Sequence, residues 1–301
     1  MTKGGSALFP TLGPRLMRSL GTLAIVVLLG GFAAAALVRY GPGFCTDENA
    51  WNPQYSASSE ETTRRRCEDE NNLPQFYLRY LRGAVEGNFG ISKSYGVPVR
   101  ELIESRVPIT AGLVAFGVGG GVLLAGLFAW IAVWSRMPAV EAGVSGVVAV
   151  LLAVPPAVLA LGFFLQETPI QFAVSLTVLA RIFGTVRTML HDAYGSSPLL
   201  AARARGLGPI ALGWRYVLTP LAPRILALFG VAVMIAFGAL VPIEALCDVP
   251  GIGQLAWKAA VSRDLPLLSA LSLIITLLVA SIHSLGEVLA GRTSRDSEAA
   301  V

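Results

Sequence analysis

Charge is what this sequence has least of. Asp, Glu, Lys and Arg make up 14% of its 301 residues, against about 25% in a soluble globular domain. With 54% of the chain hydrophobic, this is the composition of a membrane protein. The net charge of +4 therefore reports basic cytoplasmic loops and says nothing about nucleic acid. No basic cluster is interleaved with aromatics on a polar background, so no nucleic-acid partner is expected.

Metal and nucleotide motifs are missing as well. There are only two histidines, His191 and His283, far apart, and no HExxH or CxxC spacing accompanies them. No GxxxxGK[ST] loop is present to hold ATP. Cys247 has no partner in sequence, and no serine belongs to a supported Ser–His–Asp combination. We expect no metal, no cofactor and no enzyme activity of the chain's own.

Long apolar runs are what it has in abundance. Residues 1–19 carry Lys3, Arg15 and Arg18 without an acidic residue, which places the N-terminus in the cytoplasm. Residues 20–38 are uncharged and of roughly the 20-residue length that crosses hydrocarbon. A cleaved signal peptide competes, because 33–36 are small. The apolar run exceeds the usual ~7–15 residues of a signal, so a retained first helix is the reading adopted.

Residues 39–107 are polar, mixed in charge and expected outside as a subdomain. Cys45 and Cys67 both fall there, where a disulfide is permitted. If formed it closes a loop of about twenty residues, worth roughly 3 kcal/mol in the chain-entropy model; two unpaired thiols are the alternative. Within this segment 73–86 has helical spacing, with Phe76, Tyr77, Tyr80 and Leu81 on one face and Arg79 and Arg82 opposite. It reads as an interfacial helix, lying on the membrane or covering the outer mouth. Residues 87–92 form a turn. A second amphipathic helix is expected over 97–106, started by Pro98 and stopped by Pro108.

Five further spans follow. The second, 107–135, carries Gly112, Gly117, Gly119, Gly120, Gly121 and Gly126, a bare face for close helix packing. The third, 140–166, is broken by Pro155 and Pro156, as a pore-lining bend or a structural kink. The fourth is uncharged only over 168–180 and reaches full length by running through Arg181 to Leu190. Arg181 and Arg187 then snorkel or face the translocation path. The fifth and sixth spans are 224–246 and 266–289, with Arg292 and Arg295 holding the C-terminus inside. Glu244, near the outer end of span five, is a candidate for the path or gate; a hydrogen-bonded structural role is the alternative.

Between spans four and five lies SPLLAARARGLGPIALGWRYVLTPLAP, residues 197–223. Residues 199–205 read as a short helix of small residues edged by Arg203 and Arg205. Gly206 stands where a left-handed residue ends a helix, and Gly208-Pro209 confirms the break. A second helical run, 210–217, leads to Thr219-Pro220. Small residues let a helix sink into a partner's groove, and rim arginines can meet acidic groups there. This is a cytoplasmic docking helix.

The same stretch resembles the EAA loop of ABC-importer permeases. Ala201, Ala202 and Gly206 match its pattern, while Leu200 stands where Glu is usual and Thr219 where Leu precedes the proline. YLR and GNFGIS, then PVRELIESRVPIT, then VPGIG and RDLP are similar to further features of the dipeptide/oligopeptide/nickel branch. Val249 replaces a usual Trp, and Arg181 and Arg187 look like the arginine pair ahead of the loop.

The resemblance implies an all-α membrane protein with six transmembrane helices of the type I ABC importer permease kind, both ends cytoplasmic, in a bacterial inner membrane. Its permease core would span 108–301. It implies two cytoplasmic ABC ATPase subunits, a second homologous permease, an extracytoplasmic substrate-binding protein and a surrounding lipid bilayer. Leu200, Ala201, Ala202, Arg203, Ala204, Arg205 and Gly206 would carry the ATPase coupling. The solute stays open among peptides, nickel chelates and sugar-like molecules, because selectivity in this branch sits largely in the binding protein. Two other classes compete. An ion-driven secondary transporter needs ionisable groups at the midplane, which spans one to three lack. A non-transporting sensor or assembly protein leaves the basic docking segment unexplained.

Overall fold

The computed structural model describes residues 73–135 and 137–298, together with 21, 25, 28–33 and 36. The Cys45–Cys67 pairing lies outside the described residues, as does most of 20–38. What is described is helical: α1 (Leu73–Val85), α2 (Val99–Trp134), α3 (Pro138–Ala153), α4 (Pro156–Leu165), α5 (Gln171–Tyr194), α6 (Ser197–Ala204), α7 (Thr219–Leu246), α8 (Ile252–Val261) and α9 (Leu265–Glu298). A single turn, Pro209–Ala211, and a π-helix, π1 (Leu212–Leu218), join α6 to α7. Among the described residues, 4 helices are long and apolar enough to cross a membrane, and 5 spans result if α3 and α4 are one bent pair. The protein is an all-α, multi-spanning membrane protein.

The described residues fall into two compact units: 108–254 with 281–298, and the described part of 20–107 with 255–280. In the first, α5 is the central element. Ala173, Val174, Val178, Leu179, Ile182 and Phe183 are buried along it, with α3, α4 and α7 packed around. Glycines of α2 bring that helix in close. A Cβ at Gly121 would lie 2.6 Å from Val178 Cβ, and one at Gly120 would lie 2.7 Å from Ser175 Oγ. Gly112, Gly119 and Gly126 meet nothing within 4 Å, so only part of the expected glycine face is used. Gly121→Val should therefore lower the thermal stability of the detergent-solubilised protein by about 1–3 kcal/mol. Gly119→Ala should leave the melting curve in place.

Three boundaries differ from expectation. Pro108 does not stop a helix; it lies inside α2. Proline deprives the carbonyl four residues back of its partner. That residue is Glu104, which is exposed, so water can take the proline's place. The bend at Pro155-Pro156 is no mild kink: α3 and α4 diverge by 92°. The fifth span starts earlier than residue 224, because π1 runs directly into α7. The wider π turn makes room for Pro220, whose ring would press on the carbonyl of Tyr216 in an α-helix. Thr219 secures the junction, its Oγ1 donating to the Trp214 carbonyl at 2.8 Å.

In the second unit, α1 turns Tyr77 and Tyr80 onto protein. Tyr77 is buried, donates to the Leu28 carbonyl at 3.0 Å and meets Phe32 edge-on. Tyr80 donates to the Pro266 carbonyl at 3.4 Å, and burial pushes its hydroxyl well above the usual tyrosine range. Arg82 is exposed, as the helical spacing requires. Buried Asp264 accepts from Ser92 Oγ, Ser94 N and Leu267 N. It thereby caps the start of α9 and ties the turn after α1 to it.

Candidate functional site

Residues 197–218, the expected docking segment, fold as they do because they agree on one local structure. Ser197-Pro198 opens α6, with proline in the first turn, where its missing N–H is harmless. Alanines then propagate the helix. At its end the Leu207 N–H donates to the Ala202 carbonyl at 3.4 Å, and the Gly206 N–H to the Arg203 carbonyl at 3.0 Å. This is the Schellman pattern of closing bonds, and Gly206 takes the φ of +77° it demands.

Burial divides the segment into two faces. Leu199 and Ala202 point inward and join Ala193, Leu212, Val217 and Leu221 in a small core. Ala202, one of the expected coupling residues, seats α6 on the bundle. Ala201, Arg203, Ala204, Arg205 and Gly206 are exposed, with Leu200 at 52%, Ile210 at 87% and Trp214 at 70%. α6 thus presents Leu200 between exposed arginines, and the turn and π1 that follow it present Ile210 and Trp214. Its mounting is stiff: Ser196 Oγ donates to the Ala193 carbonyl at 2.7 Å, and α6 packs on both π1 and α5. A push on α6 reaches two spans at once.

Glu244 is tied into the fold by hydrogen bonds. Its side chain is 0% exposed, near the end of α7 remote from π1. Its Oε1 accepts from Thr110 Oγ1 at 2.9 Å, and its Oε2 from the N–H groups of Gly253 at 2.6 Å and Gln254 at 3.2 Å. Thr110 Oγ1 in turn accepts from Ile252 N at 2.8 Å. The carboxylate thus caps the first turn of α8, where helix N–H groups lack partners and negative charge is favoured. Glycine is required beside it. A Cβ at Gly251 would collide with the carboxylate, and one at Gly253 would lie 2.8 Å from Val241 Cα. The VPGIG turn therefore exists to receive Glu244. Sequence reading missed Thr110, which lies 134 residues away.

The remaining candidates separate. Pro155 and Pro156 form the α3–α4 corner, with Val154 extended at φ −82°, ψ 125°. Arg187 is held by α3, donating to Ser145 Oγ at 3.0 Å and pairing with Glu141 at 3.3 Å. Its guanidinium also lies 5.9 Å from the Phe183 ring centre. Arg181, near the middle of α5, is exposed. A cavity of about 430 Å³ opens beside Glu141, Arg187, Thr188 and His191.

Comparison with known proteins places this geometry in context. A family model described as "Binding-protein-dependent transport system inner membrane component" matches residues 117–296. The chain is similar to "Probable peptide ABC transporter permease protein y4tP" of Sinorhizobium fredii, 25% identical over 298 residues, which cover 90% of this chain and 94% of that one. It is 27% identical over 286 residues to "Oligopeptide transport system permease protein OppB" of Salmonella typhimurium, covering 87% and 90% of the two chains. "Oligopeptide transport system permease protein AppB" of Bacillus subtilis is 23% identical over 249 residues, covering 72% and 79%.

Proposed function

The chain belongs to the binding-protein-dependent transport system inner membrane components, and from that premise we propose that it is the permease subunit of an ATP-driven peptide importer. One observation carries the reading: the family match runs from α2 to α9 and takes in both α6 with its left-handed Gly206 and the Glu244 cap. The relatives matched along most of their length are peptide and oligopeptide permeases by name.

In this reading 20–38 crosses the inner membrane ahead of α2, giving six spans with both ends cytoplasmic. Residues 39–107 stand outside. Lys3, Arg15, Arg18, Arg203, Arg205, Arg292 and Arg295 then all lie on the cytoplasmic side, as the distribution of basic residues favours. Two ABC ATPase subunits dock, one on α6 and one on the equivalent helix of a second, homologous permease. An extracytoplasmic binding protein delivers the solute to the path between the permeases. Closure of the ATPases on ATP displaces α6. The movement passes into α5 directly and into α7 through π1, rocking the bundle between outward and inward access.

The test is uptake of labelled peptides into proteoliposomes holding the whole complex. Uptake should require ATP on the ATPase side and cease when the binding protein is left out. Uptake that persists without ATP and follows an ion gradient would instead make the chain a secondary transporter.

A further inference from the structure

The chain's lipid-suited surfaces carry large apolar residues: Leu123, Leu127 and Trp130 on α2, Val147 and Val150 on α3, Leu226 and Phe229 on α7 are all exposed. One face of α5 breaks that rule. Arg181, Gly184, Thr185, Thr188, His191 and Asp192 are exposed, and at 100° per residue they share one side of the helix. This side starts mid-helix, because the same face one and two turns earlier is occupied: Val174 and Val178 there meet Gly117 and Gly121 of α2. Past Arg181 the face runs about 15 Å toward the end of α5 that leads into α6. Thr188 and His191 there line the cavity of about 430 Å³ with Glu141.

Such a face cannot meet acyl chains. An arginine at mid-span is expensive in lipid and faces water, a partner or an ion. Arg187 has its anion in Glu141, and no described residue pairs with Arg181. Two hydroxyls and an open glycine in line with an unpaired cation form a wettable track. Gly184 has nothing within 4 Å of where its Cβ would be, leaving room for an extended solute to pass close to the backbone.

Resting on the importer reading above, we propose that this face of α5 is a wetted wall of the translocation path, with Arg181 the station that holds a carboxylate of the passing solute. A guanidinium suits that task, since it stays charged and offers paired donors to both carboxylate oxygens. The threonines and His191 then carry the solute's polar groups toward the cavity.

The experiment uses the whole complex in proteoliposomes, with two readouts. The first is labelling of Thr185→Cys and Thr188→Cys by a hydrophilic methanethiosulfonate, measured above the parent chain, with Leu127→Cys as the lipid-facing control. The proposal expects both threonine positions to react roughly tenfold or more faster than the control, because only thiols in water ionise and react. Failure to react, with Thr185→Cys forming a disulfide to the second permease instead, would make the face a permease–permease seam and overturn it.

The second readout compares a peptide bearing a free C-terminal carboxylate with its C-terminal amide. Arg181→Gln should lower uptake of the free-carboxylate peptide roughly tenfold, the worth of one charged hydrogen bond. It should change uptake of the amide by less than about twofold on the same reasoning, and Arg181→Lys should recover part of the loss. Equal loss for both peptides would overturn the carboxylate station. If wild type moves no peptide at all, the peptide reading fails, while labelling still decides whether the face is wet.

Discussion

Gly206→Val is expected to cut ATP-coupled uptake severely while the membrane bundle stays folded. Gly206 holds φ at +77°, a region that a β-branched residue enters only at a cost of about 1–3 kcal/mol. Crowding is not the cause, since a Cβ there meets nothing within 4 Å. The penalty falls on the closing bonds from Leu207 to Ala202 and from Gly206 to Arg203, which fix the direction in which the chain leaves α6. With those bonds lost, the exposed Leu207, Ile210 and Trp214 no longer hold their positions relative to α6. The ATPase loses a rigid seat, and uptake should fall by roughly tenfold or more. Gly206→Asn is the control: asparagine tolerates the left-handed region and should retain most of the activity. Equal loss in both variants, or none in either, would remove the closing motif from the coupling account.

Glu244→Ala should cost several kcal/mol of stability, about 1–3 for each donor it strands. The carboxylate's neighbours are donors: the Thr110 hydroxyl and the Gly253 and Gln254 N–H groups. Truncation strands them in a dry interior, at about 1–3 kcal/mol for each orphan, and opens a void beside Gly251. Glu244→Gln keeps the shape but turns an amide NH2 toward groups that are themselves donors, so it should be only partly protective. Gly251→Ala should be comparably damaging, because its methyl would occupy the carboxylate's place. Monodisperse yield and melting temperature in mild detergent are the readouts. Unchanged melting of Glu244→Ala together with lost transport would return Glu244 to the translocation path.

These two sites show what the sequence can and cannot disclose. Gly206 was legible because a helix end is a local event: small residues, an arginine rim, a glycine, then Gly208-Pro209 announce it within a dozen positions. That the fourth span carries arginines was legible for a similar reason, since Arg181 and Arg187 had to be included for any span to reach full length. The different fates of those arginines were not, because Glu141 and Ser145 lie more than forty residues away. Glu244 could be singled out but not understood, for its role depends on Thr110 and on a glycine turn that only the fold brings to it. That Ala202 faces the bundle was not legible, because a run of small residues does not say which side finds Leu212 and Val217. Pro108 misled in the opposite sense, and Pro220 lies within a span that was expected to start only at 224. Proline breaks a helix only where nothing else accommodates it, and an exposed Glu104 and a seven-residue π turn do so here.

Docking of an ATPase subunit on α6 is the contact that site-specific photo-crosslinking reads directly. A photoreactive residue would replace Ala201, on the exposed face, in the intact complex, with Val150 on the lipid-suited face of α3 as the comparison. The account predicts a crosslink from position 201 to an ATPase subunit, changing in yield when ATP binds, and none from position 150. Crosslinks from position 201 to lipid or to no protein, in a complex that still takes up peptide with ATP, would contradict it.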